Sequence, residues 1–352
     1  MDRGYDVRVT TLAQSYLHSL DPTAIQFTDS FGIKWYGLSY LMGFVVAWFI
    51  LRWLASTGRI LLSVSQVTDF ITYTVGGVLV GGRLGYCLFY DPSLLTDFSG
   101  SFPFWGVLAI HQGGMASHGG IIGVILSMFL FARNRGIPAL HLIDITAFIA
   151  PPGLFFGRLA NFVNGELWGR PLPASMQATP PWWSVKYPEE VHLLPQESIE
   201  GLVPHLGNPL AADLHQQVVL EAYAGNQPLA EHLEPLLVAR WPSQLFQAFS
   251  DGPILLLVLV VIWLVPRRPG EIAGSFLIAY AILRIITELF REPDVGVSLT
   301  LGLSRGQVLS VLMLLAGALL LLLSMKLKSA PVGGLLKPAH PKPVAGSTDP
   351  DS

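Results

Sequence analysis

The chain has 352 residues, 51% of them hydrophobic and 13% charged, about half the charged share of a soluble domain. Lipid, not water, is therefore the expected solvent for most of it. A net charge of −3 with no long basic run excludes the electrostatic footprint of a nucleic-acid binder.

Residues 1–30 are polar and mixed, with no basic start followed by a short apolar core, so they read as an extracytoplasmic segment and not as a cleavable signal peptide. Crossing ~30 Å of hydrocarbon takes about 20 apolar residues in a helix. Such runs occupy 36–55, 70–90, 114–132, 142–163, 244–266, 271–291 and 305–326. The expected fold class is an all-α integral membrane protein, a bundle of seven transmembrane helices with an extracytoplasmic head. Helices one to four fall within 31–163, the head within 164–243, helices five to seven within 244–326, and a disordered cytoplasmic tail within 327–352. Arg52 and Arg59 follow the first run, Arg133 and Arg135 the third, Arg267 and Arg268 the fifth, and Lys326 and Lys328 the seventh. Positive residues mark cytoplasmic connections, which puts the N-terminus outside and the C-terminus in the cytoplasm. The single cysteine, Cys87, sits in an apolar stretch and reads as a core residue without catalytic work.

Glycines 77, 81 and 85 form a ridge of small residues four apart in the second run, and the pairs 119/123 and 153/157 repeat the spacing. Such ridges let helix backbones approach closely in lipid, so they report architecture. Ionisable residues inside a span cost about 2.5–3.5 kcal/mol and therefore report more. Tyr280, Arg284, Glu288 and Arg291 follow one helical face of the sixth run. Arg284 and Glu288 are spaced for an ion pair, which leaves simple neutralisation and a working site both open. Arg291 could equally belong to the outer interface. Arg158 and Asn161 share a face at the end of the fourth run, with Glu166 at its exit. Arg83 reads first as an arginine snorkelling to the outer headgroups. His118 opens the third run among glycines, where packing and catalysis are both open readings. All these groups fall in the outer halves of their runs, so they could converge on one outward-opening cavity. Guanidinium forks recognise phosphate, and the phosphate that a cavity in a membrane meets is that of a phospholipid. His111 and His118 lack a third ligand at metal spacing, so neither a metal nor a cofactor is expected.

Six segments together carry a resemblance: Trp35-Tyr36-Gly37-Leu38, Gly81 through Tyr86, Gly113 through Gly120 with His118, Gly157 through Arg170, Pro242-Ser243-Gln244-Leu245, and Arg284 through Asp294. In this order they resemble the prolipoprotein diacylglyceryl transferase family over about residues 31–325. The resemblance implies a bacterial inner-membrane enzyme that moves the diacylglyceryl group of phosphatidylglycerol to the lipobox cysteine of a preprolipoprotein and releases glycerol 1-phosphate. It implies catalytic work for His118, Arg158, Arg284 and Glu288, and substrate binding by Tyr36, Arg83, Asn161, Glu166, Gly169, Tyr280 and Arg291. His118 would be a general base or an orienting donor. The partners implied are phosphatidylglycerol, the lipobox peptide and the membrane, without nucleic acid. Lys34, Ala160, Trp241 and Phe246 depart from the family pattern, which bears on substrate preference. A transporter that binds an anion or lipid headgroup through the same arginines is the rival class, although no inverted repeat marks it. A specialised paralogue with an altered substrate is the third reading.

Overall fold

The computed structural model describes residues 15–28, 31–110, 113–209, 212–293 and 304–336. His111 lies outside them. The described chain opens with strand β1 (Tyr16–Leu17) and the hairpin of β2 (Thr23–Thr28) and β3 (Phe31–Lys34). Helices α1 (Trp35–Ser56), α2 (Val64–Phe89), α3 (Ser117–Arg135) and α4 (Ala139–Val163) follow. Shorter pieces come next: α5 (Ala174–Gln177), strand β4 (Val185–Lys186), α6 (Gln196–Leu202), α7 (Leu214–Tyr223) and α8 (Gln227–Leu233). The last stretch holds α9 (Ser243–Phe249), a π-turn at Ser250–Ile254, α10 (Leu255–Ile262), α11 (Glu271–Glu288) and α12 (Arg305–Leu327).

Among the described residues, four helical stretches are long and apolar enough to cross a membrane: Trp35–Ser56, Ala139–Val163, Ser243–Ile262 and Gly306–Leu327. α2, α3 and α11 are long as well but carry Asp69 and Arg83, Arg133 and Arg135, and Glu271, Arg284 and Glu288.

Several boundaries differ from the hydropathy reading. α2 starts at Val64, not at residue 70, because a capping box fixes it there: Gln66 N donates to Ser63 Oγ at 3.3 Å and Ser63 N to Gln66 Oε1 at 3.0 Å. Hydropathy overlooks such polar first turns. The fifth run is not one regular helix, since Pro253 has no amide hydrogen for the α-ladder and the chain widens into the π-turn. α11 ends at Glu288, so Arg291 lies past the helix and not on its face. Residues 329–336, the described part of the tail beyond Lys328, are held by hydrogen bonds. Arg267 N donates to Val332 O at 3.1 Å, Val332 N to Arg267 O at 2.8 Å, and Arg59 Nη2 to Leu335 O at 3.1 Å.

The chain divides into two compact units. One comprises Met42–Gly153, Pro253–Ile282 and Val311–Ser352. Its core holds Leu51, Leu54, Phe70, Phe131, Leu142, Ile145 and Trp263. Lipid tails are as apolar as leucine, so close packing has to hold such helices together. The glycine ridge does this. A Cβ on Gly77 would lie 2.6 Å from Gly123 O, one on Gly81 2.7 Å from Gly123 Cα, and one on Gly85 2.8 Å from Gly119 Cα. The α2 ridge thus seats on the 119/123 pair of α3. Gly153 likewise meets Gly43, whereas a Cβ on Gly157 would touch nothing within 4 Å. In the same unit Asp144 caps α11, accepting Gly270 N at 2.7 Å and Ala273 N at 2.8 Å.

The other unit comprises Met1–Leu41, Leu154–Gly252 and Leu283–Ser310. Val191, Ile199, Leu202, Val218, Leu229 and Leu233 form its apolar core. β1 pairs in parallel with β4 beside that core. Arg240 is buried and ties distant segments together. It pairs with Glu190 and Glu292, donates from Nη1 to Gly169 O at 3.0 Å, and lies 5.2 Å over the Trp168 ring.

Candidate active site

The polar cluster of this second unit starts where α4 stops. Glu166 N donates to Asn161 O and Gly165 N to Phe162 O, each at 3.0 Å. Gly165 has φ +63°. Those two bonds around a left-handed glycine make a Schellman termination, the reason an Asn-x-x-Asn-Gly-Glu run can end a helix and turn Glu166 back over Asn161. Glu166 Oε2 then accepts Tyr36 Oη at 2.6 Å, and Asn161 Nδ2 donates to the same phenol. Tyr36, Asn161 and Glu166 are therefore one hydrogen-bonded group. Gln244 Nε2 donates to Glu166 O at 2.6 Å and Ser243 Oγ to Leu167 O at 3.1 Å. The Pro-Ser-Gln segment thus holds the backbone that carries Glu166.

Gly169 has a packing reason to be glycine, since a Cβ there would collide with Trp241 O. The strand-like run around it bonds to the segment that follows α11, with Arg170 N donating to Phe290 O at 2.9 Å and Glu292 N to Trp168 O at 3.0 Å. Trp241 stacks on Trp183 at 5.0 Å and meets Phe290 edge-on at 5.2 Å, while Phe246 lies 5.3 Å from Phe290. Two of the four departures from the family pattern therefore share one aromatic cluster.

Two sets of charges lie in the same unit. Glu288 Oε2 lies 3.2 Å from Arg284 Nη2, and Glu288 Oε1 lies 3.6 Å from Arg291 Nη1. Ser304 Oγ donates to that Oε1 at 3.2 Å. A Cβ on Gly306 would crowd the carboxylate at 2.9 Å. Two guanidinium groups share one buried carboxylate. Arg291 is itself buried. Arg158 Nε pairs with Asp251 Oδ2 at 3.1 Å, and Ser250 Oγ donates to Asp251 Oδ1 at 3.0 Å. Asp251 is fully buried inside the π-turn. Sequence reasoning missed it, although a single acid after a serine in an otherwise apolar run was the available signal.

Three expected site residues belong to the first unit. His118 is exposed in the first turn of α3. The Tyr280 ring is half-buried and stacks on Phe276 at 5.8 Å. Arg83 is buried and does not snorkel. Its guanidinium donates to Val107 O at 2.8 Å, Gly106 O at 2.7 Å, Gly113 O at 2.6 Å and Gly114 O at 3.0 Å. Four carbonyls satisfy most of its donors, so Arg83 clamps the loop that leads into His118.

A family model described as prolipoprotein diacylglyceryl transferase matches residues 22–323. A phosphatidylglycerol–prolipoprotein diacylglyceryl transferase of Bdellovibrio bacteriovorus is 42% identical over 344 residues, covering 90% of this chain and 96% of the relative. Proteins of the same name from Rhodospirillum rubrum and Sinorhizobium medicae are 34% and 35% identical, covering 90% and 88% of this chain and 96% and 93% of themselves. The chain belongs to the prolipoprotein diacylglyceryl transferase family.

Proposed function

We propose that this chain transfers the diacylglyceryl group of phosphatidylglycerol to the thiol of a prolipoprotein lipobox cysteine. The carrying observation is the Arg284–Glu288–Arg291 trio, two guanidinium groups set around one carboxylate, whose N–H forks suit a phosphodiester and a phosphate leaving group. In the reaction the thiol sulfur attacks the primary glyceryl carbon. A C–S bond forms, the C–O bond to phosphate breaks, and glycerol 1-phosphate leaves with the bond electrons. A free thiol has a pKa of about 8.5, so a base or positive potential must enrich the thiolate. His118 takes the thiol proton or orients the group that does. Arg284 and Arg158 stabilise the charge developing on the leaving phosphate, each held by its own carboxylate. Tyr36, Asn161, Glu166 and Gly169 shape the substrate pocket, with Tyr280 and Arg291 as further contacts and Arg83 acting through its loop.

Around this chemistry we place seven transmembrane helices in the bacterial inner membrane, the N-terminus outside and the C-terminus in the cytoplasm. The residues 164–243 form the extracytoplasmic head. The clustering of arginine and lysine after alternate spans supports this orientation. The test is incubation of purified protein with phosphatidylglycerol vesicles and a lipobox peptide, followed by mass spectrometry for the thioether-linked product. A serine version of the peptide should give none. Absence of product from the cysteine peptide would overturn the reading.

A further inference from the structure

The unit that holds the Schellman turn also buries a row of ionisable groups that the transfer chemistry leaves unused. His18, next to β1, is fully buried. Its Nε2 lies 2.7 Å from Phe162 O, and its Nδ1 lies 3.2 Å from Tyr223 Oη. The Tyr223 hydroxyl also contacts Glu189 Oε1. Phe162 O is the carbonyl that accepts Gly165 N within the turn. A Cβ on Gly165 would lie 3.1 Å from both Glu189 Oε1 and Tyr223 Oη and 3.5 Å from His18 Cε1, so the row packs directly against the turn.

We propose that His18, Tyr223 and Glu189 are a positioning relay for the Asn161–Glu166 turn, holding it in its working geometry and loosening it when the relay loses a proton. The inference rests on the transferase reading of that turn.

A carbonyl only accepts, so His18 Nε2 bears a hydrogen. A phenol has one hydrogen to give. The row therefore has two satisfied arrangements with equal proton counts. In one, imidazolium Nδ1–H donates to Tyr223, which donates to the Glu189 carboxylate. In the other, protonated Glu189 donates to Tyr223, which donates to a neutral Nδ1. Burial lowers the His18 pKa against the smaller raising effect of the Phe162 carbonyl, and burial raises that of Glu189, so the second arrangement is favoured. Glu189 Oε2 is buried without a hydrogen-bond partner among the described residues, a state far costlier for a carboxylate than for a neutral acid. Removing the shared proton leaves two acceptors competing for one phenolic hydrogen, and one contact of the row is lost.

The surrounding groups do not replace that proton. Tyr16 from β1 and Tyr187 after β4 face His18 with their rings. Lys186 of β4 donates instead to Glu234 O at 2.8 Å. The His192 charge weakly opposes the rise at Glu189, and Arg240 acts on Tyr187.

The experiment measures kcat and KM for thioether formation from mildly acidic to mildly alkaline pH. Thiol ionisation alone makes the rate climb with pH, so a fall of kcat on the alkaline side is the relay's signature. Glu189→Gln keeps an N–H for Tyr223 that cannot ionise and should restore near-normal kcat without the alkaline fall. Tyr223→Phe breaks the row and should lower kcat by about tenfold to a hundredfold, the scale of a misplaced active-site segment. A Glu189→Gln enzyme that retains the wild-type fall overturns the relay. So does a folded Tyr223→Phe enzyme with wild-type kcat at every pH, and if that variant does not fold, the Glu189→Gln profile decides alone. A wild type that forms no product at any pH refutes the transferase reading instead.

Discussion

Replacing Glu288 by Gln probes the trio most sharply. Its carboxylate stands 3.2 Å from Arg284 and 3.6 Å from Arg291. At an effective dielectric constant of 20, each distance corresponds to about 5 kcal/mol of Coulomb attraction. Taking such ions from water offsets several kcal/mol per ion, so the net value of the trio is far smaller than the sum. Removing one partner from a buried pair typically costs about 3–5 kcal/mol, and an isosteric amide that still accepts from Ser304 belongs at about 3 kcal/mol. The negative charge between the two guanidinium groups is lost, and Arg284 and Arg291 move apart. Loss of a positioned guanidinium should lower kcat/KM for phosphatidylglycerol by about a hundredfold. Thermal unfolding in detergent and initial rates at varied phosphatidylglycerol read the two effects separately. Wild-type kcat/KM with unchanged unfolding would refute the reasoning, and Glu288→Ala should be worse than Gln in both.

Three further outcomes follow from single contacts. Asp251→Asn removes the charge 3.1 Å from Arg158, and kcat should fall by about tenfold or more in the peptide assay. Arg83→Lys surrenders most of four carbonyl bonds and should destabilise the protein by about 2–4 kcal/mol, read as a lowered melting temperature even if some activity survives. Glu221 is held well below the usual carboxylate range, at about 2, chiefly by the Gly207 amide and the Gln217 side chain. A depressed carboxylate stabilises the fold above its unfolded pKa and loses that contribution as pH falls from 4.5 towards about 2. Solvent screening keeps the effect below about 1 kcal/mol. Melting temperatures of wild type and Glu221→Ala should therefore converge as the pH is lowered through that window.

Local patterns were the legible part of this molecule. The spacing of Gly77, Gly81 and Gly85 foretold close helix packing, and the partner pair 119/123 was visible too. The clustering of Tyr36 with Asn161 and Glu166 came from resemblance, and the Schellman turn supplies its physical cause. Contacts between distant segments were not legible. Arg83 reads as a headgroup seeker because nothing in a sequence marks which backbone carbonyls will face it. Arg240 finds Glu190 and Glu292 some 50 and 52 residues away, and His18 finds Phe162 across 144 residues. Asp251 was hidden by averaging, since one acid barely lowers the hydropathy of an apolar run. The order of residues 329–336 escaped for another reason: a short Pro- and Gly-containing run gives no sign of the backbone bonds that tie Val332 to Arg267 and Leu335 to Arg59 and Trp263.

The arginine cluster built around Glu288 is proposed to serve the transfer of a diacylglyceryl group to a cysteine thiol. Its most direct test is the single-turnover rate of thioether formation by Arg284→Ala protein, measured against wild type with phosphatidylglycerol vesicles and a lipobox peptide. Wild type should form product, and the variant should form it at a rate at least about a hundredfold lower, the scale set by losing one preorganised charge at a leaving group. Equal rates from the two folded proteins would contradict it.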